Sequence, residues 1–406
     1  MLLVFLFIQL LNAQQQDLNY FLSLGLQNSP LLKDYQNRQR SALIDSMRLR
    51  AGLGYQISAS SINSYAPVIQ GWGYDQVKTD IAGVSALMGI SKQITGKNNL
   101  LNKYQAIRLQ NQSTYIEGSL SKKDLKKAII SQYILAYGNL KLHRVNEEVL
   151  GIMRQEEQIV KKLTEQGIFK QTEYLSLLVN RRQQEFLTAQ SGYQYKTDLE
   201  LLNYLCGIFD TAHVSLSEPE LSVNSSAEPH HTIFFKQFET DSMKLANADR
   251  QINFDYQPKL SVYADGGYFS SMSYMPWKNF GMSAGLSLTV PIYDGHQRKM
   301  QHDQVAISEE TRVNYKNFFT SQYRQQIAIL SNQLTANEQL MHKSGEQLDI
   351  AQTLISANMK LLNTGDISVT DYLLSVNNYI NAKNMLIQNS LEKFRIINEI
   401  NYWSEK

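Results

Sequence analysis

Gly365-Asp366-Ile367-Ser368-Val369-Thr370-Asp371-Tyr372-Leu373 has a second copy in this chain, 198 positions earlier, as Gly167-Ile168-Phe169-Lys170-Gln171-Thr172-Glu173-Tyr174-Leu175. Both read Gly, four residues, Thr, an acid, Tyr, Leu. Each copy lies between two long runs of helical periodicity. About half of the 406 residues separate them, so the chain reads as a tandem duplication with this string at the turn of each half.

Working outward, each turn follows a long stretch free of proline. Residues 97–166 carry an apolar stripe at Leu125, Ile129, Tyr133, Ala136 and Leu140, and residues 298–363 are the counterpart. A helix of about seventy residues is about 100 Å long and needs coiled-coil partners. Returning helices are expected over 172–205 and 370–403, after Gly167 and Gly365 end the long ones.

Upstream of each long helix the period changes to two. Leu53, Tyr55, Ile57 and Ala59 alternate with small or polar residues, as do Val84, Ala86, Met88 and Ile90, while Asn63 to Gln76 reads as a turn. This gives a strand pair within 52–93. In the second half Leu260, Val262 and Ala264, then Met282 to Ile292, give a strand pair within 258–293. The glycines that close the pairs, Gly96 and Gly295, are 199 apart, close to the spacing of the turns.

A helix opens each half. Asp17 is a fitting N-cap for the first, with a restart at Pro30, and Thr232 to Phe254 spans the second. The repeats are thus 14–206 and 230–406, and the Ser- and Pro-rich 207–229 between them reads as a linker or equatorial segment. The helix lengths balance in a rod, with the turns at one end and the strands at the other. At the N-terminus Met1 to Leu11 is apolar and Asn12-Ala13-Gln14 follows, so residues 1–13 read as a signal peptide. No other apolar window reaches the length of a spanning helix.

Net charge is +2, only 19% of residues are charged, and no basic stripe marks a nucleic-acid surface. The 23 tyrosines suit a membrane interface. The one cysteine, Cys206, follows Leu201, Leu202 and Leu205 and reads as a buried apolar residue. His230-His231 and the trio Met272, Met275 and Met282 are too sparse for a metal site. No nucleophile–base set, P-loop or dinucleotide fingerprint is present, so nothing points to an enzyme or a cofactor.

Four strands with one apolar and one small-polar face cannot close around a lumen, for which about eight are needed. Three chains would supply twelve. The competing arrangement is a soluble β-sandwich patch on a coiled coil. Aromatic loops (Trp72; Phe269, Tyr274, Trp277) and the signal-like start favour the membrane barrel.

Tyr256-Gln257-Pro258-Lys259-Leu260 before a strand, Leu286 through Pro291 to Gly295 before a long helix, and the two glycine turns together resemble the TolC-like outer-membrane efflux protein family. The resemblance covers nearly all of the chain after the signal. It departs at Leu53-Gly54-Tyr55, where the first half lacks Tyr-x-Pro, and at Ile94-Thr95-Gly96. It implies an α+β membrane protein: a homotrimer with a long antiparallel coiled-coil helical (α-barrel) tunnel across the periplasm and a twelve-stranded transmembrane β-barrel in outer-membrane lipid. It further implies a passive channel for efflux or type I secretion in a Gram-negative bacterium. A periplasmic adaptor protein would join it to an inner-membrane transporter of RND, ABC or MFS type. The alternative is a non-channel periplasmic or surface coiled-coil scaffold.

Under that resemblance Gly167, Thr172, Glu173, Gly365, Ser368, Thr370 and Asp371 belong to the periplasmic tip where the adaptor docks. Thr172, Ser368 and Thr370 are the expected N-caps, and Glu173 and Asp371 suit the first helical turn. Three copies of Asp371 would make an acidic ring at the aperture, the expected gate. Some relatives carry a second acid three residues on, where this chain has Leu374. Ser261, Asp265, Ser283, Ser287 and Thr289 are expected to face the barrel lumen.

Overall fold

The computed structural model describes residues 16–67, 69–70, 72, 81–209, 214–223, 232–272 and 275–404. The expected signal peptide, Tyr274 and His230-His231 lie outside the described residues. In chain order the elements are α1 (Leu18–Asn28), α2 (Pro30–Gly52), β1 (Gln56–Ala66), β2 (Ile81–Ile94), α3 (Lys97–Glu165) and α4 (Gln171–Cys206). They continue with α5 (Ile233–Asp255), β3 (Lys259–Ser270), β4 (Phe280–Thr289), α6 (Gln297–Thr364) and α7 (Val369–Ser404). Corresponding elements have near-equal lengths: α3 and α6 have 69 and 68 residues, α4 and α7 36 each, and α2 and α5 23 each.

Local chemistry sets these boundaries. The Tyr20 amide donates to Asp17 Oδ1 at 2.9 Å, which caps α1. Pro30 has no amide hydrogen and opens α2 where a continuing helix would need one.

The described residues form two compact units. The described residues of the first lie within 16–33, 118–235 and 318–404. Its helices bury two large apolar clusters. One is built around Phe21, Ile129, Tyr133, Leu202 and Cys206, and the other around Val149, Val160, Leu177, Leu362, Tyr372 and Val376. A smaller cluster joins Leu330 to Ile396 and Ile400.

Segment 207–229 departs from a plain linker. Its described part, 214–223, is pinned to the helices of this unit. Leu216 is buried and pairs with Gln16 as an isolated bridge. Tyr133 donates to Ser217 O (2.8 Å) and Gln16 O (3.1 Å), Arg144 reaches Ser215 Oγ (2.9 Å), and Tyr195 Oη donates to Val214 O. Polar side chains on helices satisfy a backbone that has few apolar residues of its own.

The second unit comprises residues 34–117 and 236–317 and holds the sheet. All four strands are antiparallel in the order β1-β2-β3-β4. Among the described residues neither β1 nor β4 has a second strand partner. β1 begins at Gln56, not Leu53, and runs to Ala66, through residues that read as a turn. Pairing with β2 overrides the weak strand propensity of Asn63 and Ser64. β4 ends at Thr289, so Val290 and Ile292 fall outside it, next to Pro291, which cannot donate to a ladder. Helices α3 and α5 are joined here by a buried amide pair: Asn247 Nδ2 donates to Asn102 Oδ1 (2.7 Å), and Asn102 Nδ2 to Asn247 O (3.2 Å).

Candidate functional site

The turn glycines work as the sequence suggests. Gly167 and Gly365 both have φ +81°, the left-handed region where a Cβ is disfavoured. Around each, two hydrogen bonds close the helix end. Gly167 and Ile168 donate to Thr164 O and Leu163 O, both at 3.0 Å; Gly365 and Asp366 donate to Leu362 O (3.1 Å) and Leu361 O (2.9 Å). This is the Schellman pattern, and it satisfies carbonyls that the helix leaves open.

The returning helices are capped differently. Ser368 is the N-cap of α7: the Asp371 amide donates to Ser368 Oγ (3.1 Å), and Ser368 Oγ donates to Asp371 Oδ2 (2.7 Å). Lys170 holds that position in α4, and its amide donates to Glu173 Oε2 at 3.0 Å. Thr172 and Thr370 are not N-caps. Each is the second residue of its helix and exposed, because the cap falls two residues earlier. Glu173 and Asp371 do sit in first turns, where a carboxylate suits the helix dipole.

The two turns lie against each other. A Cβ built on Gly365 would fall 2.7 Å from Ile168 Cγ2. Each turn is also anchored in the cluster behind it, by Phe169 and Ile367, which hold the same motif position. The repeated Tyr-Leu pairs diverge: Tyr372 and Leu373 are buried, whereas Tyr174 is half-buried and Leu175 exposed. Asp371 is exposed, as is Leu374.

Behind the turns lie two polar groupings that the sequence did not signal. Burial pushes the Glu148 carboxyl up, but Lys383 Nζ (2.6 Å) and Tyr379 Oη (2.7 Å) donate to it and hold it below its ordinary range, tying α3 to α7. Glu156 has no such help. It is 3% exposed, its Oε2 makes no hydrogen bond among the described residues, and burial pushes its carboxyl up. The Tyr372 hydroxyl nearby is also without a partner among the described residues and is pushed up, first by burial and then by the Glu156 charge.

The register of the sheet sorts its side chains into two faces, since directly paired residues share a face. Ser261 pairs with Ser287, Asp265 with Ser283 and Lys259 with Thr289. The five residues expected in a lumen therefore share one face. Gln93 and Gly89 extend that face into β2, and Ser58 and Gln56 into β1. Ser58, Ser60 and Ser64 of β1 belong to it and were not singled out in the sequence. The opposite face carries Ile57, Met88, Ile90, Leu260, Val262, Met282, Leu286 and Leu288. Ile57, Met88, Met282, Leu286 and Leu288 are all more than 60% exposed. Lys92 is its one charge among the described residues, with Nζ 4.6 Å from the Tyr55 ring centre. No described helix is long and apolar enough to cross a membrane.

Long helices, glycine turns and a four-stranded antiparallel sheet make up a fold that is also found among solved outer-membrane channels. Among solved structures, the outer membrane protein VceC of Vibrio cholerae matches at TM-score 0.76 and 13% identity, over 95% of each chain. The CmeC outer membrane channel of Campylobacter jejuni matches at TM-score 0.73 and 14% identity, over 95% of this chain and 85% of that one. The open state of the Neisseria gonorrhoeae MtrE outer membrane channel matches at 0.74 and 10%, over 95% and 88%. At these identities the likeness is one of fold. No protein-family profile and no curated protein sequence matches the chain.

Proposed function

We propose that this chain is one protomer of a homotrimeric outer-membrane channel, a passive exit duct for efflux or type I secretion. Three sheets close into one twelve-stranded barrel, and the helices continue it as a tunnel through the periplasm. The two glycine turns form the periplasmic tip. A periplasmic adaptor docks there and couples the duct to an inner-membrane transporter of RND, ABC or MFS type. The duct carries no energy source; the transporter supplies the work and selects the cargo. Asp371 is the proposed aperture gate: three exposed carboxylates near one axis would favour cations and repel one another. The tandem duplication accounts for the near-equal lengths of corresponding elements.

The observation that carries this proposal is the exposed apolar face that runs across all four strands. Water-soluble monomers rarely expose so large a contiguous apolar patch. From the Leu260 row to the aromatic row of Tyr268 and Phe280 is eight residues along β3. At about 3.3 Å per residue and about 40° tilt the band would be about 20 Å tall, near the roughly 25 Å of outer-membrane barrels. Lys92, one row inside this band, can lay its stem along the apolar surface towards Tyr55 at the strand end.

The test is reconstitution of the purified protein in planar bilayers. Stable single-channel conductance, with detergent needed for solubility, is expected; a water-soluble, non-conducting protein would favour a coiled-coil scaffold instead. Asp371→Asn should weaken cation selectivity and block by divalent cations, and unchanged values would remove Asp371 from the gate.

A further inference from the structure

The polar face of the sheet is nearly free of charge. Among the described residues, β1 contributes Gln56, Ser58, Ser60, Ile62 and Ser64 to it, and β2 contributes serines, glycines, Leu87 and Gln93. β4 contributes only Gly, Ser and Thr. Two charged residues interrupt this pattern, both on β3: Lys259 at its first position and Asp265 in its middle. They are six residues apart, about 20 Å along a strand. That separation exceeds the Debye length of about 8 Å at physiological salt, so Lys259 does not neutralise Asp265.

Asp265 carries the one carboxylate on this face among the described residues. Its direct cross-strand neighbours on this face are Gly89 and Ser283; along β3, Gly267 follows it and Tyr263, whose ring lies over Gly285, precedes it. Ser283 Oγ donates to Asp265 Oδ2 at 2.9 Å, which fixes the side chain's direction and leaves the other oxygen open. Lys278 borders the same hollow, but among the described residues no cation-bearing side chain is hydrogen-bonded or ion-paired to Asp265.

We infer that Asp265 sets a preference for cations in the β-barrel lumen, through a ring of three carboxylates at mid-height of the sheet. This rests on the trimeric channel proposed above. Twelve strands about 4.8 Å apart and tilted by about 40° close into a barrel about 24 Å across, which puts each carboxylate about 8 Å from the axis. At that distance the ring acts through water and is open to screening. Three unit charges at about 8 Å favour a monovalent cation over an anion by about seven-fold near 0.15 M salt, and by less than about two-fold at 1 M. This salt dependence separates Asp265 from a charge at a tight constriction, where ions pass in contact with the carboxylate and screening has little room to act.

The experiment measures reversal potentials of the full-length protein in planar bilayers under a KCl gradient, near 0.15 M and near 1 M. Asp265→Asn keeps an acceptor for Ser283 and should lower the cation-to-anion permeability ratio by about five- to seven-fold at the lower salt, and by less than about two-fold at the higher. Asp265→Glu should retain the wild-type ratio, and Asp265→Ser should match the Asn variant. Conductance with an unchanged ratio in Asp265→Asn and Asp265→Ser overturns the assignment, as does an equal fall at both salt concentrations. Absence of conductance in the wild type overturns the channel itself and this inference with it.

Discussion

The twin glycines allow a quantitative comparison, because their backbones match and their surroundings do not. Both have φ +81°, yet a Cβ on Gly167 meets nothing within 4 Å, while one on Gly365 would lie 2.7 Å from Ile168 Cγ2. Gly167→Ala should therefore cost only the left-handed penalty, about 1 kcal/mol once the stiffer unfolded chain is counted. Gly365→Ala adds displacement of Ile168 from its rotamer, about another 1 kcal/mol. Ile168 is half exposed and has room to turn, so a larger cost is not expected. Native-state hydrogen exchange reads both, since Ile168 and Asp366 donate the outer bonds of the two Schellman motifs. Gly167→Ala should speed exchange at Ile168 by about five-fold, and Gly365→Ala at Asp366 by about thirty-fold. Adding Ile168→Ala to Gly365→Ala should bring the second figure back near the first. Equal effects at the two glycines, or no rescue by Ile168→Ala, would refute the claim that the turns are packed on each other.

Other expectations rest on single groups. Ser368→Ala should cost about 1 kcal/mol and speed exchange of the Asp371 amide about five-fold, whereas Thr370→Ala leaves it unchanged, which separates the cap from its neighbour. Tyr133→Phe removes the donor to Gln16 O and Ser217 O, so the Ser217 amide, which donates to Gln16 O at 3.2 Å, should exchange about five-fold faster; unchanged protection would mean the hydroxyl does not pin the segment. Glu156 binds its proton more tightly folded than unfolded, so its contribution is favourable at low pH and is lost as pH rises from the ordinary carboxylate range through its raised folded pKa. Glu156→Met should therefore stabilise by about 1–3 kcal/mol at neutral pH and by less near pH 4.5 in thermal unfolding; an equal gain at both would refute burial as the cause.

What the sequence made legible was local. Helix ends carry their own signals within a few residues, so Asp17, Pro30, Gly167 and Gly365 each mark a boundary that the structure places within two residues. Alternation likewise sorted the faces of β3 and β4. The rest depended on partners distant in sequence. The extent of β1 is fixed by β2, since Ser64 lies opposite Gly83, and Ser64 alone gives no strand signal. Gly25, a poor residue for the middle of a helix, is explained by the buried Ile129, whose Cδ1 a Cβ there would overlap. Segment 214–223 looks like a linker by composition, because what holds it are hydroxyl and guanidinium groups of helices many residues away. The α4 cap could not be read from residue preference at all. Lysine is a poor N-cap, and the carboxylate of Glu173 supplies the bond instead.

The sheet poses two physical demands that a single copy does not meet. Its apolar face is exposed, and among the described residues β1 and β4, 11 and 10 residues long, each leave an unpaired outer edge. A soluble partner laid over the apolar face would leave both edges open, as in a coiled-coil scaffold with a sheet patch. Pairing of the edges in water would leave the apolar face wet. Pairing β4 of one copy with β1 of the next and turning the apolar face to lipid meets both demands together, and it turns the serine- and glycine-rich face inward. Closure by several copies answers these demands before any particular cargo is considered, and the proposed trimer is the closure that supplies twelve strands. On the proposed arrangement the serines and glycines of that face would keep the lumen wide and wet, and the Asp265 carboxylate would act on passing ions at a distance.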